Sequence, residues 1–187
     1  RTKKQKASFT EMISEEKPLE NKQTCVLVSA CLFGENCKYN GGNNYNQAVV
    51  DFVSGKQIIS VCPEIAGGLP TPREPVEIVD GSVRDANGKS YDRAFQQGIA
   101  KIFEKLEEQD IEMAILQSRS PSCGVNQIYD GTFSGQKVTG SGLFAQALKK
   151  RGYQVVDAED INEVNYETNH FHHHGLQVRL GHHEKNS

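Results

Sequence analysis

The chain has 187 residues, a net charge of −3 and five cysteines. This length suffices for one domain with a core that needs no disulfides, so the cysteines require another explanation. The slight negative charge provides no basic surface for a phosphate backbone, which argues against macromolecular nucleic acid as a partner and favours a small-molecule substrate. No apolar run approaches the ~20 residues of a membrane span, and no signal-like segment is present, so we expect a soluble, cytoplasmic protein.

The two ends of the chain differ from its middle. Residues 1–23 are mostly charged and polar, and we expect a flexible arm there. Residues 165–187 carry every histidine in the protein and lack a core-forming pattern. A disordered or artificially added tail is favoured over a zinc or nickel site, although four of its side chains are dense enough to chelate: His170, His172, His173 and His174. We therefore place one domain at residues 24–164.

Between these ends, apolar β-branched runs alternate with amphipathic segments. The runs TCVLVSAC, QIISV, IEMAIL and YQVVD predict buried strands at residues 24–31, 57–61, 111–116 and 153–157. Periodic apolar residues predict helices at 45–54, 92–109 and 142–150. This alternation predicts a single α/β domain with a parallel sheet and Rossmann-like, right-handed crossovers.

Three segments interrupt that alternation. Residues 65–75 contain three prolines and two glycines and are predicted to be neither helix nor strand. Residues 76–90 contain the turn signals Asp80-Gly81 and Asn87-Gly88, either of which can close a small β-hairpin. Residues 117–142 are rich in glycine and serine. We predict that they form a long active-site loop, because such loops wrap closely around ligands.

Three of the five cysteines lie at or shortly after the ends of predicted strands: Cys31, Cys62 and Cys123. Because the carboxyl ends of parallel strands meet at one edge of a sheet, we expect these thiols to converge in a crevice there. The alternative is that each is an ordinary buried cysteine. Cys25 begins the first strand, far from that edge, and is assigned to the core.

Converging cysteines in a reducing compartment indicate metal ligation or chemistry rather than disulfides. The chain lacks the Cys-x-x-Cys pair typical of structural zinc sites, whereas thiolates from separate loops suit an iron–sulfur cluster. A cluster held by three cysteines leaves one iron open as a Lewis acid. Cys37 is a less favoured fourth ligand that would close the cluster and indicate electron transfer.

Three blocks of sequence surround these cysteines in order: VSACL (28–32) with CKYNG (37–41), CPE (62–64) with GGL (67–69) and PREP (72–75), and SPSCG (120–124). Together they resemble the 2-thiouracil desulfurase (thiouracil desulfidase) family over about residues 25–157. The resemblance implies a [4Fe–4S] cluster on Cys31, Cys62 and Cys123. It also implies removal of sulfur from a thiolated pyrimidine without net redox chemistry.

The resemblance further implies that Glu64 and Ser120 are the catalytic residues. Elementary chemistry agrees with this assignment, because a soft thiocarbonyl sulfur should bind the open iron and leave the ring carbon exposed to water. Glu64 would then act as the base. Ser120 either orients the substrate or relays the proton. The chain departs from the family pattern at Lys38 and Asn40, and it lacks an expected lysine near Gln117; these differences concern substrate contacts rather than the cluster.

Three further side chains are candidate substrate-binding residues: Ser29, Arg73 and Ser122. Arg73 lies between prolines and could present its guanidinium to a ring carbonyl or a phosphate. The two serines flank cluster cysteines and can also hydrogen-bond to the ligand sulfurs. The predicted function is desulfuration of a thiouracil or thiouridine-type base or nucleotide, with release of sulfide. The alternatives are a closed-cluster protein for electron transfer or redox sensing, and a non-enzymatic thionucleobase-binding module.

Overall fold

The computed structural model describes residues 24–164 of the chain. In chain order its elements are β1 (Thr24–Ser29), α1 (Gln47–Phe52), β2 (Gln57–Val61), α2 (Pro63–Ala66), β3 (Val76–Val79), β4 (Ser82–Asp85), α3 (Asp92–Leu106), β5 (Asp110–Leu116), β6 (Gln127–Tyr129), β7 (Lys137–Thr139), α4 (Leu143–Lys150) and β8 (Val155–Asp157). The predicted arm at 1–23 and the histidine-rich tail at 165–187 lie outside the described residues.

A parallel sheet in the order β2-β1-β5-β8 forms the centre of the described region. β1 is a central strand and is almost fully buried, which explains its continuous apolar sequence. Val26 and Val28 pack on the sheet face covered by α1, while Leu27 packs on the opposite face with apolar residues of α3 and α4. This architecture confirms the predicted α/β class with a parallel sheet.

β1 ends two residues earlier than predicted. The chain leaves the strand at Ser29 and makes a turn of 3-10 helix over Ala30–Phe33, so Cys31 lies on this turn rather than at a strand end. Hydrogen bonds from another segment stabilise the turn: the carbonyl oxygens of Cys31 and Leu32 accept from the backbone N–H groups of Asn44 and Asn46. These partners lie more than ten residues away in sequence, which is why the local pattern did not reveal the turn.

The first hairpin closes at the first of its two turn signals. β3 and β4 pair antiparallel around Asp80 and Gly81, whose φ angles of 49° and 80° match the type I′ turn that Asp-Gly favours. The second signal forms a separate turn, in which the N–H of Gly88 donates to the carbonyl of Asp85 at 2.9 Å. The hairpin prediction is therefore confirmed, and both signals are used.

One prediction for the loops was wrong. The segment at 65–75, predicted to be neither helix nor strand, begins inside α2, whose first residue Pro63 has the φ angle that a helix start requires. The long loop at 117–142 contains a second antiparallel hairpin, formed by β6 and β7, that the sequence did not predict. Their strands have three residues each and face solvent on most sides, so they lack the apolar alternation that predicts a strand.

Close backbone contact fixes α2 against α3. A Cβ atom added to Gly98 of α3 would lie 1.9 Å from the carbonyl oxygen of Pro63, and one added to Gly67 would lie 2.0 Å from that of Ala94. Only glycine allows this approach. The contact matters because Cys62 is the N-cap residue of α2 and Glu64 lies in its first turn.

None of the helices within residues 24–164 combines the length and the apolar character that crossing a membrane requires.

We expect Gly98→Ala to destabilise the protein. In an ordinary helix interior this change stabilises by about 1 kcal/mol, but here the new methyl group overlaps the Pro63 carbonyl, and overpacking of this kind costs about 1–3 kcal/mol. Urea unfolding measures the difference. Gln97→Ala, on the exposed face of the same helix, is the control and should change stability by less than about 0.5 kcal/mol. An unchanged or raised midpoint for Gly98→Ala would show that α2 moves away without cost.

Candidate active site

One cavity of about 400 Å³ opens at the carboxyl edge of the sheet, and Cys31, Cys62 and Cys123 all line it. Cys31 reaches it from the turn after β1, Cys62 from the cap of α2 after β2, and Cys123 from the loop after β5. The structure therefore brings together the three thiols that follow the strands. Cys25 lies away from this cavity and hydrogen-bonds to the side chains of Gln57 and Gln109.

Cys37 is the fourth thiol on the cavity wall and is buried. Its thiol has one proton, which it shares between the sulfurs of Cys31 and Cys62; this hydrogen bonding lowers the pKa of Cys31 and lowers that of Cys62 to about 7. Asn44 also hydrogen-bonds to Cys31, and the backbone N–H of Ile65 to Cys62, and both contacts act in the same direction. The pKa of Cys37 is raised by the same two hydrogen bonds. This arrangement favours thiolates at two of the three predicted ligands.

Cys123 has a different environment. Burial raises the pKa of its thiol, and hydrogen bonds with Ser29 and Ser122 oppose that effect. The Ser122 hydroxyl lies 3.7 Å from the Cys123 sulfur, while the Ser29 hydroxyl also accepts a hydrogen bond from the N–H of Gln117 at 3.0 Å. Both serines predicted to flank the cluster therefore contact the Cys123 sulfur.

Glu64 is a buried carboxylate with 8% of its surface exposed, and it lines the cavity beside Cys62. Both of its oxygens accept hydrogen bonds. The hydroxyl of Ser122 donates to Oε1 at 3.0 Å, and Nε of Arg73 donates to Oε2 at 2.7 Å. A charged side chain at this depth is normally paired, and Arg73 provides the pair.

The Arg73 side chain also hydrogen-bonds to groups other than Glu64. Its Nη1 donates to the carbonyl of Pro70 and the hydroxyl of Thr71, each at 3.2 Å, and its Nη2 donates to the carbonyl of Cys37 at 2.9 Å. Because each guanidinium nitrogen is already bonded to a protein acceptor, its contact with a substrate carbonyl or phosphate stays a prediction. The hydrogen bonds of Arg73 link the Glu64 carboxylate to the Cys37 carbonyl and so hold both in place; we call this arrangement the clamp.

Ser120 contacts Glu64 through Ser122. Its hydroxyl oxygen accepts from the backbone N–H groups of Ser122 and Cys123, at 3.2 and 3.1 Å, and lies 2.9 Å from the Ser122 hydroxyl. A serine hydroxyl has two acceptor positions and one proton. With both acceptor positions taken, Ser120 donates to Ser122, and Ser122 donates to Glu64. The two hydroxyl groups thus form an oriented chain that ends at the carboxylate.

The cavity wall also contains residues that the sequence patterns did not single out for the site. Two of them lie in the blocks CKYNG and PREP without having been assigned a role, and the others belong to no motif: Tyr39 and Glu74, and then Asn44, Glu77, Arg119 and Tyr129. Asn44 had a detectable signal, because it lies in the asparagine-rich loop after Cys37. Arg119 had none; it has a φ angle of 60° and pairs through both terminal nitrogens with Glu159, at 2.9 and 2.5 Å.

The thiols of Cys31, Cys62 and Cys123 fit an iron–sulfur cluster by their chemistry, since such clusters are bound by cysteine thiolates. They share one cavity, they come from three separate segments, and two of them have a lowered pKa. Within residues 24–164, no three His, Cys, Asp or Glu side chains lie close enough together to hold a single metal ion. The fit concerns a multi-iron cluster, in which each cysteine binds a separate iron.

The fold and the cavity define a class: an α/β protein with a group of cysteines at the carboxyl edge of a parallel sheet, beside a buried carboxylate. The profile of the 2-thiouracil desulfurase family matches residues 26–160. The chain therefore belongs to the 2-thiouracil desulfurase family, which confirms the membership predicted from the three sequence blocks.

Two individual proteins are similar to this chain over most of its described length. An uncharacterised protein of Bacillus subtilis (strain 168), YbbK, is 39% identical over 149 residues, which cover 74% of this chain and 99% of YbbK. The solved structure of the [4Fe–4S]-dependent thiouracil desulfidase TudS superposes with a TM-score of 0.72 at 31% identity, covering 79% of this chain and 99% of TudS. The similarity extends over nearly the whole length of both relatives.

We expect removal of Arg73 to be costly, because it leaves Glu64 as a buried carboxylate without its charged partner. The side chains of Arg73 and Glu64 are 6% and 10% exposed, and breaking such a pair costs about 3–5 kcal/mol. Arg73→Gln should show this loss in urea unfolding of the cluster-free protein, and adding Glu64→Gln should recover part of it. The control is Arg119→Gln, whose partner Glu159 is 56% exposed, with an expected loss of about 0–1 kcal/mol. Equal losses in the two arginine variants would contradict the clamp.

Proposed function

We propose that this protein is an iron–sulfur-dependent enzyme that removes sulfur from a thiolated pyrimidine and releases it as sulfide. The observation that carries this proposal is the placement of a buried carboxylate, Glu64, beside three thiols in one cavity. Membership of the 2-thiouracil desulfurase family and the similarity to TudS, a [4Fe–4S]-dependent thiouracil desulfidase, support the substrate class and the cofactor. The substrate is a free base such as thiouracil, or a thiouridine-type nucleotide, and a cytoplasmic location stays a prediction.

The reaction needs no external oxidant or reductant. A thiocarbonyl and one water molecule give a carbonyl and hydrogen sulfide, without net change in oxidation state. Cys31, Cys62 and Cys123 would hold the cluster, which supplies a Lewis-acidic iron with affinity for the soft thiocarbonyl sulfur. The protein's own residues must then bind the ring, place the water and accept its proton.

Glu64 is suited to accept that proton. Each carboxylate oxygen offers two acceptor positions, and each is given one hydrogen bond, from Ser122 or from Arg73. A second position on each oxygen therefore remains for a water molecule. The two donors fix the plane of the carboxylate, and the hydroxyl of Ser120 orients the Ser122 hydroxyl that donates to it.

The position of Cys37 favours one alternative function. Because this thiol contacts both Cys31 and Cys62, it is close enough to the predicted ligands to act as a fourth. A cluster bound by four cysteines has no open iron, and its natural function is electron transfer or redox sensing. The two functions make different predictions for variants of Glu64 and Cys37.

We expect Glu64→Gln to retain the cluster and to lose turnover. The amide keeps the shape of the carboxylate but cannot act as a base, and loss of general base assistance lowers the rate by about 10²–10⁴-fold. Sulfide release from 2-thiouracil under anaerobic conditions measures the turnover, and the visible absorbance of the cluster measures its content.

Glu35→Gln is the matched control for this variant. Glu35 is an exposed carboxylate that also accepts a serine hydroxyl, from Ser60 at 2.9 Å, and it does not line the cavity. Its loss should leave turnover within about twofold. Full activity in Glu64→Gln with a normal cluster content would exclude Glu64 as the base.

Substitution of single cysteines tests the proposed ligands. We expect Cys31→Ser, Cys62→Ser and Cys123→Ser each to lose most of the iron and the visible absorbance after anaerobic reconstitution, since each removes a thiolate. Cys25→Ser should reconstitute like the unmodified protein, because Cys25 lies away from the cavity. Cys37→Ser should keep both iron and sulfide release. Loss of the cluster in Cys37→Ser, together with a reversible redox couple and no sulfide release in the unmodified protein, would favour the closed-cluster alternative.

A further inference from the structure

Two hairpins build the outer part of the cavity wall. The β3–β4 hairpin contributes Val76 and Glu77, and the β6–β7 hairpin contributes Tyr129. The second hairpin is poorly anchored by packing, because among the described residues the buried apolar core contains none of residues 127–139. A parallel bridge between Arg119 and Ile128 holds its first strand, and the position of its loop depends on polar and backbone contacts with its surroundings.

Glu77 provides such a contact. Its Oε2 accepts hydrogen bonds from two backbone N–H groups in the loop of the β6–β7 hairpin, from Gly131 at 2.9 Å and from Phe133 at 3.1 Å. Both loop residues have left-handed backbone conformations, with φ angles of 87° and 58°. Such conformations turn the N–H groups of these two residues toward one anionic oxygen, while the N–H of Thr132 between them donates to Asp130.

The loop also approaches β3 closely. A Cβ atom added to Gly131 would lie 2.7 Å from the carbonyl oxygen of Ile78 and 3.3 Å from the side chain of Val79. Gly135, in the same loop, also has a left-handed conformation, with a φ angle of 79°, but a Cβ atom there would meet nothing within 4 Å. The loop is thus in contact with β3 at Gly131 and free of it at Gly135.

We propose that Glu77 is a positioning residue that fixes the β6–β7 hairpin, and with it Tyr129, as the outer wall of the substrate cavity. Tyr129 is the last residue of β6 and directly precedes the loop that Glu77 binds. An aromatic ring at the wall suits a planar heterocycle, which it can contact by stacking or edge-to-face packing. The identity of that heterocycle rests on the proposed function, whereas the contact with the hairpin does not.

Four variants separate the possible causes of an effect. Glu77→Ala removes the acceptor and its charge, and Glu77→Gln removes the charge but keeps an oxygen at the same place. Gly131→Ala disturbs the same contact from the opposite side, because its methyl group overlaps the Ile78 carbonyl. Gly135→Ala introduces the same left-handed strain in the same loop without a new contact, and is the matched control.

The first measurement uses reduced, cluster-free protein and needs no substrate. We expect the cavity thiols of Cys62 and Cys123 to react with a maleimide at least about tenfold faster in Glu77→Ala and Gly131→Ala, since loss of even one of the two hydrogen bonds to Glu77 produces about that factor. Glu77→Gln and Gly135→Ala should react at nearly the original rate. Peptide mass spectrometry reports each cysteine separately, and hydrogen exchange of residues 130–136 should rise in the same two variants. Unchanged rates in Glu77→Ala and Gly131→Ala would overturn the proposal.

The second measurement uses the reconstituted protein and 2-thiouracil. We expect Glu77→Ala and Gly131→Ala to raise KM about tenfold while kcat stays within about threefold, since the wall contacts the ring and not the reacting bond. Recovery of KM in Glu77→Gln would show that the hydrogen bonds matter rather than the charge. An unchanged KM together with faster thiol reaction would overturn the role of the wall in substrate binding. Absence of sulfide release from the unmodified protein, with the thiol result as expected, would refute the proposed function and leave the contact standing.

Discussion

The ion pair between Arg73 and Glu64 is the interaction on which the cavity depends. Two charges removed from water cost several kcal/mol each, and a buried pair is tolerated only when further hydrogen bonds satisfy both partners. Here the remaining guanidinium nitrogens bond to acceptors in two other segments, the proline-rich stretch and the chain around Cys37. The backbone N–H of Arg73 also donates to the carbonyl of Tyr39 at 2.7 Å. One side chain thereby ties the segment after β1, the start of α2 and the rim of the cavity into a single unit.

The positions of these hydrogen-bonded groups depend on the packing of the apolar sheet and helices from which they extend. The strands β1 and β2 pair in register from Cys25 and Gln57 onward, which sets how far Cys31 and Cys62 extend beyond the sheet edge. The glycine contact between α2 and α3 then fixes the depth of the helix that starts at Cys62. Packing of the sheet and helices sets the backbone positions of the cysteines, and hydrogen bonds set the orientation of their side chains. Both are needed, because a shift of about 1 Å in the backbone moves every side chain of the cavity that depends on it.

Features of this structure that depend on residues close together in the sequence could be predicted, and features that depend on distant residues could not. Strands, long helices and the Asp80-Gly81 hairpin depend on neighbours in sequence, and the sequence patterns predicted them. The turn at Cys31 and the pairing of Arg73 with Glu64 depend on partners many residues away, and no local pattern encodes them. The β6–β7 hairpin was missed for another reason, since its strands have three residues each without apolar alternation, and its loop contacts Glu77 through backbone N–H groups, which leave no trace in a side-chain pattern. Convergence of the cysteines was predictable because sheet topology is a long-range rule that needs only the order of the elements.

The hydroxyl groups of Ser120 and Ser122 both donate their hydrogen bonds in the direction of Glu64. Ser120 is saturated as an acceptor by two backbone N–H groups, so its proton points toward Ser122, and the proton of Ser122 points toward Glu64. A carboxylate that receives a proton becomes a donor, and its oxygen can then return a hydrogen bond only if Ser122 rotates its own proton elsewhere. Because Ser120 has no acceptor position left, an acceptor within reach of that proton is the sulfur of Cys123, at 3.7 Å. Protonation of the carboxylate is thus linked, through one hydroxyl rotation, to the hydrogen bonding of a predicted cluster ligand.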